Sequence, residues 1–281
     1  YNSYYHCFIE MKIFKDKQSL QKEIFKTKGI SFVPTMGGLH KGHISLIKQS
    51  KKSKLKTLVS IFVNPKQFNK KSDFRSYPRN TKKDLKQLKK LKINYLYIPT
   101  FKDIYGFKPK EKVFLDKFSK KLCGRFRRGH FEGVLNVINR FIEIIKPKYI
   151  FLGKKDYQQL YLIKKHIEKR NIKSKIIECK TIREKNGIAC SSRNSKLNND
   201  QMRIASNIYY YLCNLKKKIK KDYSLFNMNK IKKDLIDLGA SKIDYLENYN
   251  VKNFKKIKKP YKKFNLFFAY YIKNTRLIDN I

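Results

Sequence analysis

The apolar positions of the chain form short β-rich runs separated by stretches with helical spacing. The runs that predict strands lie at 30–33, 57–64, 93–98, 113–115, 149–152 and 176–181. The stretches that predict helices lie at 15–28, 41–53, 80–92, 157–170 and in a long segment that ends near Pro147. Strands that alternate with helices in this way build a parallel sheet with both faces covered. We therefore predict an α/β fold with a doubly wound parallel sheet.

The character of the chain changes near residue 200. A helix is predicted over 200–220, followed by lysine-heavy helices and by β-like runs at 243–249 and 264–272. This order of elements is typical of a smaller α+β domain. We place the large domain at 1–182 and the C-terminal domain at 183–281. Residues 1–10 are predicted to be an extension, because Met11 opens the patterned part of the chain.

A glycine-rich turn joins the first predicted strand to the next helix, and residues 33–43 read Val-Pro-Thr-Met-Gly-Gly-Leu-His-Lys-Gly-His. Glycine lets the backbone approach a ligand closely. A helix that begins just after it directs N–H groups and a positive dipole end at an anion. His40 and His43 share one face of the first helical turn. The segment predicts a nucleotide site where imidazoles neutralise phosphate charge, and the alternative is a tight turn with surface histidines.

Polar residues also follow two other predicted strands. Asn64 and Gln67 come at the end of the second strand, and Lys155 and Asp156 come after the fifth. Open α/β sheets bind ligands at the carboxyl ends of their strands, so Asn64 and Gln67 are candidate substrate contacts. The alternative is that they cap a turn. Lys155 suits a phosphate as a point charge, and Asp156 could accept hydrogen bonds from ribose hydroxyls.

Two loops carry further candidates for anion binding. Ser191, Ser192 and Arg193 follow a glycine turn and suit a phosphate-binding loop. The basic loop at 124–131 opens the long helix and could fold over a bound anion as a lid. The alternative for that second loop is solvated surface.

The charge of the chain raises the question of a nucleic-acid partner. There are 68 Lys and Arg against 21 Asp and Glu, which gives a formal net charge of +47. The lysines are spread along nearly every predicted helix, however, and the abundance of Lys, Ile, Asn, Tyr and Phe is typical of an AT-biased genome. We expect no nucleic-acid binding beyond non-specific charge attraction.

Neither a membrane span nor a disulfide framework is expected. No apolar run approaches the roughly 20 residues that cross a bilayer. The five cysteines are scattered and form no Cys-x-x-Cys pair, so a zinc ribbon is not indicated either. The amino end lacks the basic-then-apolar order of a signal peptide. These features favour the cytoplasm, and we assign no metal ligands.

Five segments with candidate site residues follow one another along the chain: 34–43, 62–68 with 77–79, 127–133, 153–160 and 183–194. In this combination the chain, from Met11 to Ile281, resembles the pantothenate synthetase (pantoate–β-alanine ligase) family of His-x-Gly-His nucleotidyltransferases. The resemblance implies a Rossmann-like sheet domain, a homodimer, and Mg²⁺ with ATP as co-substrate. It implies that ATP and pantoate form pantoyl adenylate and pyrophosphate, after which β-alanine displaces AMP to give pantothenate.

The resemblance also implies the residues of the site. The ATP site would be lined by Met36, Gly37, Gly38, Leu39, His40, Lys41, Gly42, His43, Gly153, Lys154, Lys155, Asp156, Ile182, Cys190, Ser191, Ser192 and Arg193. Pantoate and β-alanine would be bound by Gln67, Gln159, Asn64 and Arg127. His43 would act as the acid, with His40 and Lys155 beside it.

Two residues of the expected ATP site depart from the family pattern. Lys154 stands where the family has an acidic or polar residue, and Cys190 stands for Met or Leu. A cationic neighbourhood would favour the thiolate of Cys190, whereas apolar burial would oppose it. Two alternatives to the main interpretation are a related nucleotidyltransferase with another acid substrate and a nucleic-acid-binding protein.

Overall fold

The computed structural model describes residues 10–251, 254–257 and 264–281. Its larger sheet has six strands, each parallel to its neighbours. They are β1 (Lys12–Phe14), β2 (Ile30–Thr35), β3 (Lys56–Ile61), β4 (Tyr95–Tyr97), β5 (Tyr149–Gly153) and β6 (Lys175–Cys179). Their order across the sheet is β1-β4-β3-β2-β5-β6. The predicted doubly wound, Rossmann-like α/β fold is confirmed.

Ten α-helices occur in the described part of the chain. They are α1 (Lys17–Ile24), α2 (Lys41–Lys51), α3 (Lys71–Arg75), α4 (Thr81–Lys90), α5 (Phe101–Tyr105), α6 (Cys123–Phe126), α7 (His130–Ile145), α8 (Tyr157–Lys169), α9 (Asn199–Lys221) and α10 (Met228–Asp237). Several helices begin at a residue whose side chain caps the first turn; Asn80 caps α4, and Asn198 caps α9. The most apolar helix, α7, packs on the sheet, where the rings of Phe141 and Phe32 lie 5.3 Å apart.

One predicted strand is wrong, and two observed strands were not predicted. Residues 113–115 form no strand, and the N–H of Phe114 instead donates to Nδ1 of His166 at 3.1 Å. One unpredicted strand is β1, which has three residues and pairs with β4 at the edge of the sheet. A run of three residues is too short to show a hydrophobic period. The other is the last strand of the chain, Thr275–Asn280.

The strand order reverses between β2 and β5. β2 pairs with β3 on one side and with β5 on the other. Ligands of doubly wound sheets bind in the crevice at the carboxyl ends of such strands. β2 ends at Thr35, before the glycine-rich turn, and β5 ends at Gly153, before Lys155. Two candidate segments that are distant in sequence therefore meet at one point.

A second, antiparallel sheet follows in the order β7 (Lys242–Asn250), β8 (Phe264–Ile272) and β9 (Thr275–Asn280). Helices α9 and α10 share a buried apolar cluster with it. Phe267 of β8 belongs to the core of the parallel sheet, so the two sheets are joined by apolar packing. The smaller α+β unit is confirmed, and its boundary at 182/183 stays a prediction. No helix of the described residues is long and apolar enough to cross a bilayer.

Candidate active site

A cavity of about 270 Å³ opens where the strand order reverses. The predicted site residues that line it are Met36, His40, Gly42, His43, Gln67, Arg127, Gly153, Lys155, Asp156, Gln159, Ile182, Cys190, Ser191, Ser192 and Arg193. The other predicted residues are not among its lining: Gly37, Gly38, Leu39, Lys41, Asn64 and Lys154. The fold therefore brings most of the candidates to one space.

The glycine-rich turn is held by a buried carboxylate. Asp84, on α4, is 2% exposed and accepts the N–H groups of Gly38 and Leu39, each at 2.8 Å. Gly37 and Gly38 have φ angles of 79° and 61°, which glycine adopts without strain. Asp84 thus satisfies these two N–H groups within the protein, and the assignment of Gly38 and Leu39 to the ATP site stays a prediction.

The imidazoles of His40 and His43 lie side by side, with ring centroids 4.0 Å apart. Nδ1 of His40 accepts the N–H of Gly42 at 3.1 Å, and Nδ1 of His43 accepts the N–H of His40 at 3.4 Å. A neutral imidazole carries one proton, so each ring carries it on Nε2. Burial lowers the pKa of His43 to about 3 and that of His40 to about 4. Both rings are therefore neutral hydrogen-bond donors near pH 7 rather than cations.

Gln67 is positioned by Asn64. Gln67 ends a short 3₁₀ turn, Pro65–Gln67, that follows β3. Nδ2 of the buried Asn64 donates to Oε1 of Gln67 at 3.3 Å and to the carbonyl of Gly133 at 3.1 Å. A side chain on Gly133 would overlap the backbone of Lys66, which explains why glycine stands there. Asn64 thus supports the wall of the cavity without lining it.

His130 also positions the wall, and the sequence did not single it out as a site residue. Its Nδ1 donates to the carbonyl of Gln67 at 2.8 Å, and its Nε2 accepts from Arg127 at 3.0 Å. Burial, with the nearby Arg127, lowers the pKa of His130 to about 3, so the ring is neutral and can do both. The sequence signal for His130 was its position directly after Gly129, at the start of the long helix.

Arg127 presents a positive charge to the cavity. Burial, and then repulsion from Arg193, lower its pKa to about 10. The guanidinium is still charged at pH 7. Its acceptors, Nε2 of His130 and the carbonyl of Gln67, are both neutral. A partly buried cation between neutral acceptors is suited to a carboxylate of a ligand.

Lys155 and its neighbour Lys154 face different surroundings. Both lie in the 3₁₀ turn Lys154–Asp156 after β5. Nζ of Lys155 is 3.2 Å from Oδ1 of Asp156, and its side chain is 19% exposed. Nζ of Lys154 instead pairs with Glu178 at 3.3 Å, and that side chain is 42% exposed. Only Lys155 of this pair lines the cavity.

The loop at 191–193 forms another wall. The hydroxyl of Ser192 is 3.2 Å from the hydroxyl of Tyr77, and Tyr77 also lines the cavity. Arg193 pairs with Asp73 on α3 at 2.9 Å. The loop therefore brings two hydroxyls and a partly neutralised guanidinium to the cavity.

Cys190 is a buried thiol. The residue is 1% exposed, and its Sγ donates to Oε1 of Glu184 at 3.1 Å. Burial, and then the Glu184 carboxylate, raise its pKa to about 11. Lys41 pairs with the same carboxylate at 2.7 Å. Burial therefore outweighs the cationic surroundings, and the thiolate is not favoured.

An apolar wall completes the cavity. It is lined by Phe62, Phe131, Val134, Val137, Ile138, Phe141, Leu152 and Leu160. Five of these residues lie on α7, which the sequence identified only as a long helix. Spacing along a helix does not distinguish a residue that lines a cavity from one that fills the core. This wall suits an aliphatic group of a ligand.

Comparisons with known proteins agree with this geometry. A Pantoate-beta-alanine ligase family model matches residues 12–281. A pantothenate synthetase of Caldicellulosiruptor saccharolyticus is 38% identical over 274 residues, which cover 96% of this chain and 97% of that protein. The structure of a pantoate-beta-alanine ligase from Francisella tularensis, complexed with Beta-gamma ATP and Beta-alanine, has a TM-score of 0.81 at 35% identity, with 97% of each chain covered. That of pantothenate synthetase from Thermus thermophilus has a TM-score of 0.87 at 25% identity, with 96% of this chain and 99% of that chain covered. The chain therefore belongs to the pantoate-beta-alanine ligase family.

Proposed function

We propose that this protein uses ATP to condense pantoate with β-alanine through a pantoyl-adenylate intermediate, releasing pyrophosphate and AMP. The observation that carries the proposal is the shared cavity, in which an imidazole and lysine wall meets an amide and apolar wall. The first wall suits a nucleoside triphosphate, and the second suits a small aliphatic hydroxy acid. The relative from Francisella tularensis, complexed with Beta-gamma ATP and Beta-alanine, supports the assignment.

In the first step a carboxylate oxygen of pantoate attacks the α-phosphorus of ATP, and the bond from that phosphorus to pyrophosphate breaks. The attacking group is already an anion, so the main demand is stabilisation of charge on the phosphates. His40 and His43 donate Nε2–H groups, and Lys155 supplies a positive charge. Bound phosphates raise the pKa of nearby imidazoles. Bound ATP therefore increases the fraction of protonated His43, which is the form that can act as the acid.

The remaining ATP contacts are proposed from the cavity lining. Ser191, Ser192 and Arg193 bind phosphate oxygens, and Asp156 accepts from ribose hydroxyls. The ATP pocket is completed by Met36, Gly42, Gly153, Ile182 and Cys190. Gly37, Gly38, Leu39, Lys41 and Lys154 do not line the cavity, and their assignment to the ATP site stays a prediction.

In the second step the amine of β-alanine attacks the acyl carbon of the adenylate, and the bond from that carbon to the AMP oxygen breaks. An amide forms, and the surplus proton of the amine passes to the departing phosphate. Gln67 and Gln159 hold pantoate through its hydroxyl and carbonyl oxygens, because an amide both donates and accepts. Arg127 holds the carboxylate of β-alanine, while Asn64 keeps Gln67 in place.

We also propose that Mg²⁺ enters with ATP. Within 10–251, 254–257 and 264–281, no cluster of three or more His, Cys, Asp or Glu could hold a metal ion. Mg²⁺ commonly binds through substrate phosphates, so no dedicated cluster of protein ligands is needed. When bound, Mg²⁺ neutralises charge on the phosphates.

Three further proposals follow from the family. We propose a homodimer, a cytoplasmic location, and no nucleic-acid partner beyond non-specific charge attraction. Light scattering of the purified protein tests the first. For the last, binding to RNA should be weak and should fall steeply with salt. Tight binding that resists salt would favour a nucleic-acid function.

The proposed reaction is tested with purified protein and its substrates supplied singly and together. Pyrophosphate should form from ATP only when pantoate is present, and AMP and pantothenate should form when β-alanine is added. β-Alanine without pantoate is the control and should release no pyrophosphate. Adenylation of a different carboxylic acid, with none of pantoate, would overturn the proposal in favour of a related nucleotidyltransferase.

A further inference from the structure

Asn280, at the end of the last strand, is bonded to the turn that carries Lys155. Its Nδ2 donates to the carbonyl of Lys154 at 2.9 Å and to the carbonyl of Lys155 at 2.8 Å. A carboxamide nitrogen has two hydrogens, so these bonds use both. Asn280 is 7% exposed. The two carbonyls are therefore tied to a residue of the C-terminal sheet.

The orientation of the Asn280 amide is set by its neighbours. Its Oδ1 accepts from Nδ2 of Asn265 on β8 at 3.0 Å, which leaves Nδ2 directed to the turn. Its backbone N–H donates to Oδ1 of Asp279 at 2.8 Å. Asp279 in turn pairs with Arg183 through both carboxylate oxygens, at 2.6 and 3.2 Å. The end of β9 is thus held from both sides.

The placement of Lys155 depends on its backbone. Its ammonium group lies at the cavity while the ammonium of Lys154 lies at Glu178. A rotation of the turn would move Lys155 away from the cavity. The carbonyls of both residues are bonded to Asn280, and these bonds oppose such a rotation.

We infer that Asn280 is a positioning residue, which fixes the backbone of Lys155 so that its ammonium group meets the phosphates of the bound nucleotide. The inference rests on the proposed function for the identity of the reaction. The C-terminal sheet therefore does more than cover the cavity, because the nucleotide site is incomplete without the end of β9.

Two variants and a matched control test this role. Asn280→Asp keeps the shape of the side chain but sets a carboxylate against two carbonyl oxygens, so neither bond can form. It should lower kcat/KM for ATP by about a hundredfold, the order expected for a catalytic group displaced by about 1 Å. Asn280→Ala should lose a similar factor. The control is Asn136→Ala, which removes an asparagine that does not line the cavity and donates to the carbonyl of Glu132 in its own helix, and it should change kcat/KM little.

A double variant separates positioning from a general structural role. If Asn280 acts through Lys155, adding Asn280→Asp to Lys155→Ala should cause no further loss. Losses that multiply in the double variant would overturn the inference, as would an Asn280→Asp protein with unchanged kcat/KM. Thermal unfolding of each variant shows whether it is folded.

Binding of ATP, measured by titration calorimetry, separates this inference from the proposed function. Asn280→Asp should weaken ATP binding by roughly tenfold or more, the size of a lost charge-assisted contact, and Asn136→Ala should not. If the unaltered protein binds ATP but makes no pantoyl adenylate, the proposed reaction is wrong while the positioning role is still judged by these affinities. Equal ATP affinity of Asn280→Asp and the unaltered protein would overturn the positioning role.

Discussion

Asp84 and Gly38 are joined by a hydrogen bond of 2.8 Å across 46 positions of the chain. The second oxygen of the same carboxylate accepts the N–H of the next residue, Leu39, at 2.8 Å. A phosphate could have taken these donors, and a carboxylate of the protein takes them instead. The turn is therefore held in place before any nucleotide binds, and anions are left to the face that carries His40 and His43.

Loss of the Asp84 carboxylate should destabilise the fold. Asp84 is 2% exposed, and Asp84→Ala removes the acceptor of the N–H groups of Gly38 and Leu39. We expect the free energy of unfolding to fall by about 2–3 kcal/mol. Asp84→Asn keeps one acceptor oxygen and should lose less. Urea denaturation measures both variants.

The control for this prediction is Asp200→Ala. The Asp200 side chain is 78% exposed, so its removal should change stability by less than about 0.5 kcal/mol. An Asp84→Ala protein as stable as this control would show that the carboxylate does not hold the turn.

The two neighbouring lysines should differ in their effect on adenylation. Lys155→Ala removes the charge at the cavity and should lower kcat by about a hundredfold or more, the size seen when one group that stabilises transition-state charge is lost. Lys154→Ala removes only an exposed ion pair with Glu178, which contributes little. Pyrophosphate release in the presence of ATP and pantoate measures both. Similar losses at the two positions would contradict this assignment of the side chains.

Stability should fall as the pH drops below about 6.5, because two buried histidines cannot accept protons in the folded state. Burial lowers the pKa of His130 to about 3 and that of His166 to about 4. Between these values and the ordinary value, the unfolded chain binds more protons, so stability decreases as the pH falls. Each histidine contributes up to about 1.4 kcal/mol per pH unit. Denaturant unfolding between pH 7 and 5 measures the slope.

The matched variant for this slope is His166→Gln. Nδ1 of His166 accepts from Phe114, and its Nε2 donates to Asn139 at 3.0 Å. Glutamine does not titrate, so the variant should show a shallower dependence of stability on pH, whatever its stability at pH 7. An unchanged slope would show that His166 gains its proton equally in both states.

Cys190 should react slowly with iodoacetamide. Its thiol is buried and its pKa is raised to about 11, so little thiolate is present at neutral pH. Cys213 is more exposed than Cys190. It serves as the internal comparison, since it should be labelled before Cys190. Mass-spectrometric mapping with and without ATP measures both sites. Fast labelling of Cys190 that ATP suppresses would show instead that the cationic surroundings prevail.

The sequence by itself determined the fold class and the family. Apolar runs that alternate with amphipathic stretches indicate strands that are buried on both faces, and this pattern can be detected locally. The five short motifs, taken together in their order along the chain, are specific for the family. The same local signals missed β1, which is too short to show a hydrophobic period. They also predicted a strand at 113–115, where the structure has none. Roles proposed for single residues still await the experiments above.

The tertiary structure decided which candidates share the cavity and what keeps them there. It placed Lys155 at the cavity and Lys154 beside Glu178, and it showed which groups Asp84, His130 and Asn280 bond to, which no sequence pattern indicated. The physical reason is distance along the chain. A hydrogen bond between residues 46 or 125 positions apart depends on how strands and helices pack, and local pattern carries no information about that packing. Burial, which sets the pKa values of the histidines and of Cys190, is likewise a property of the folded chain.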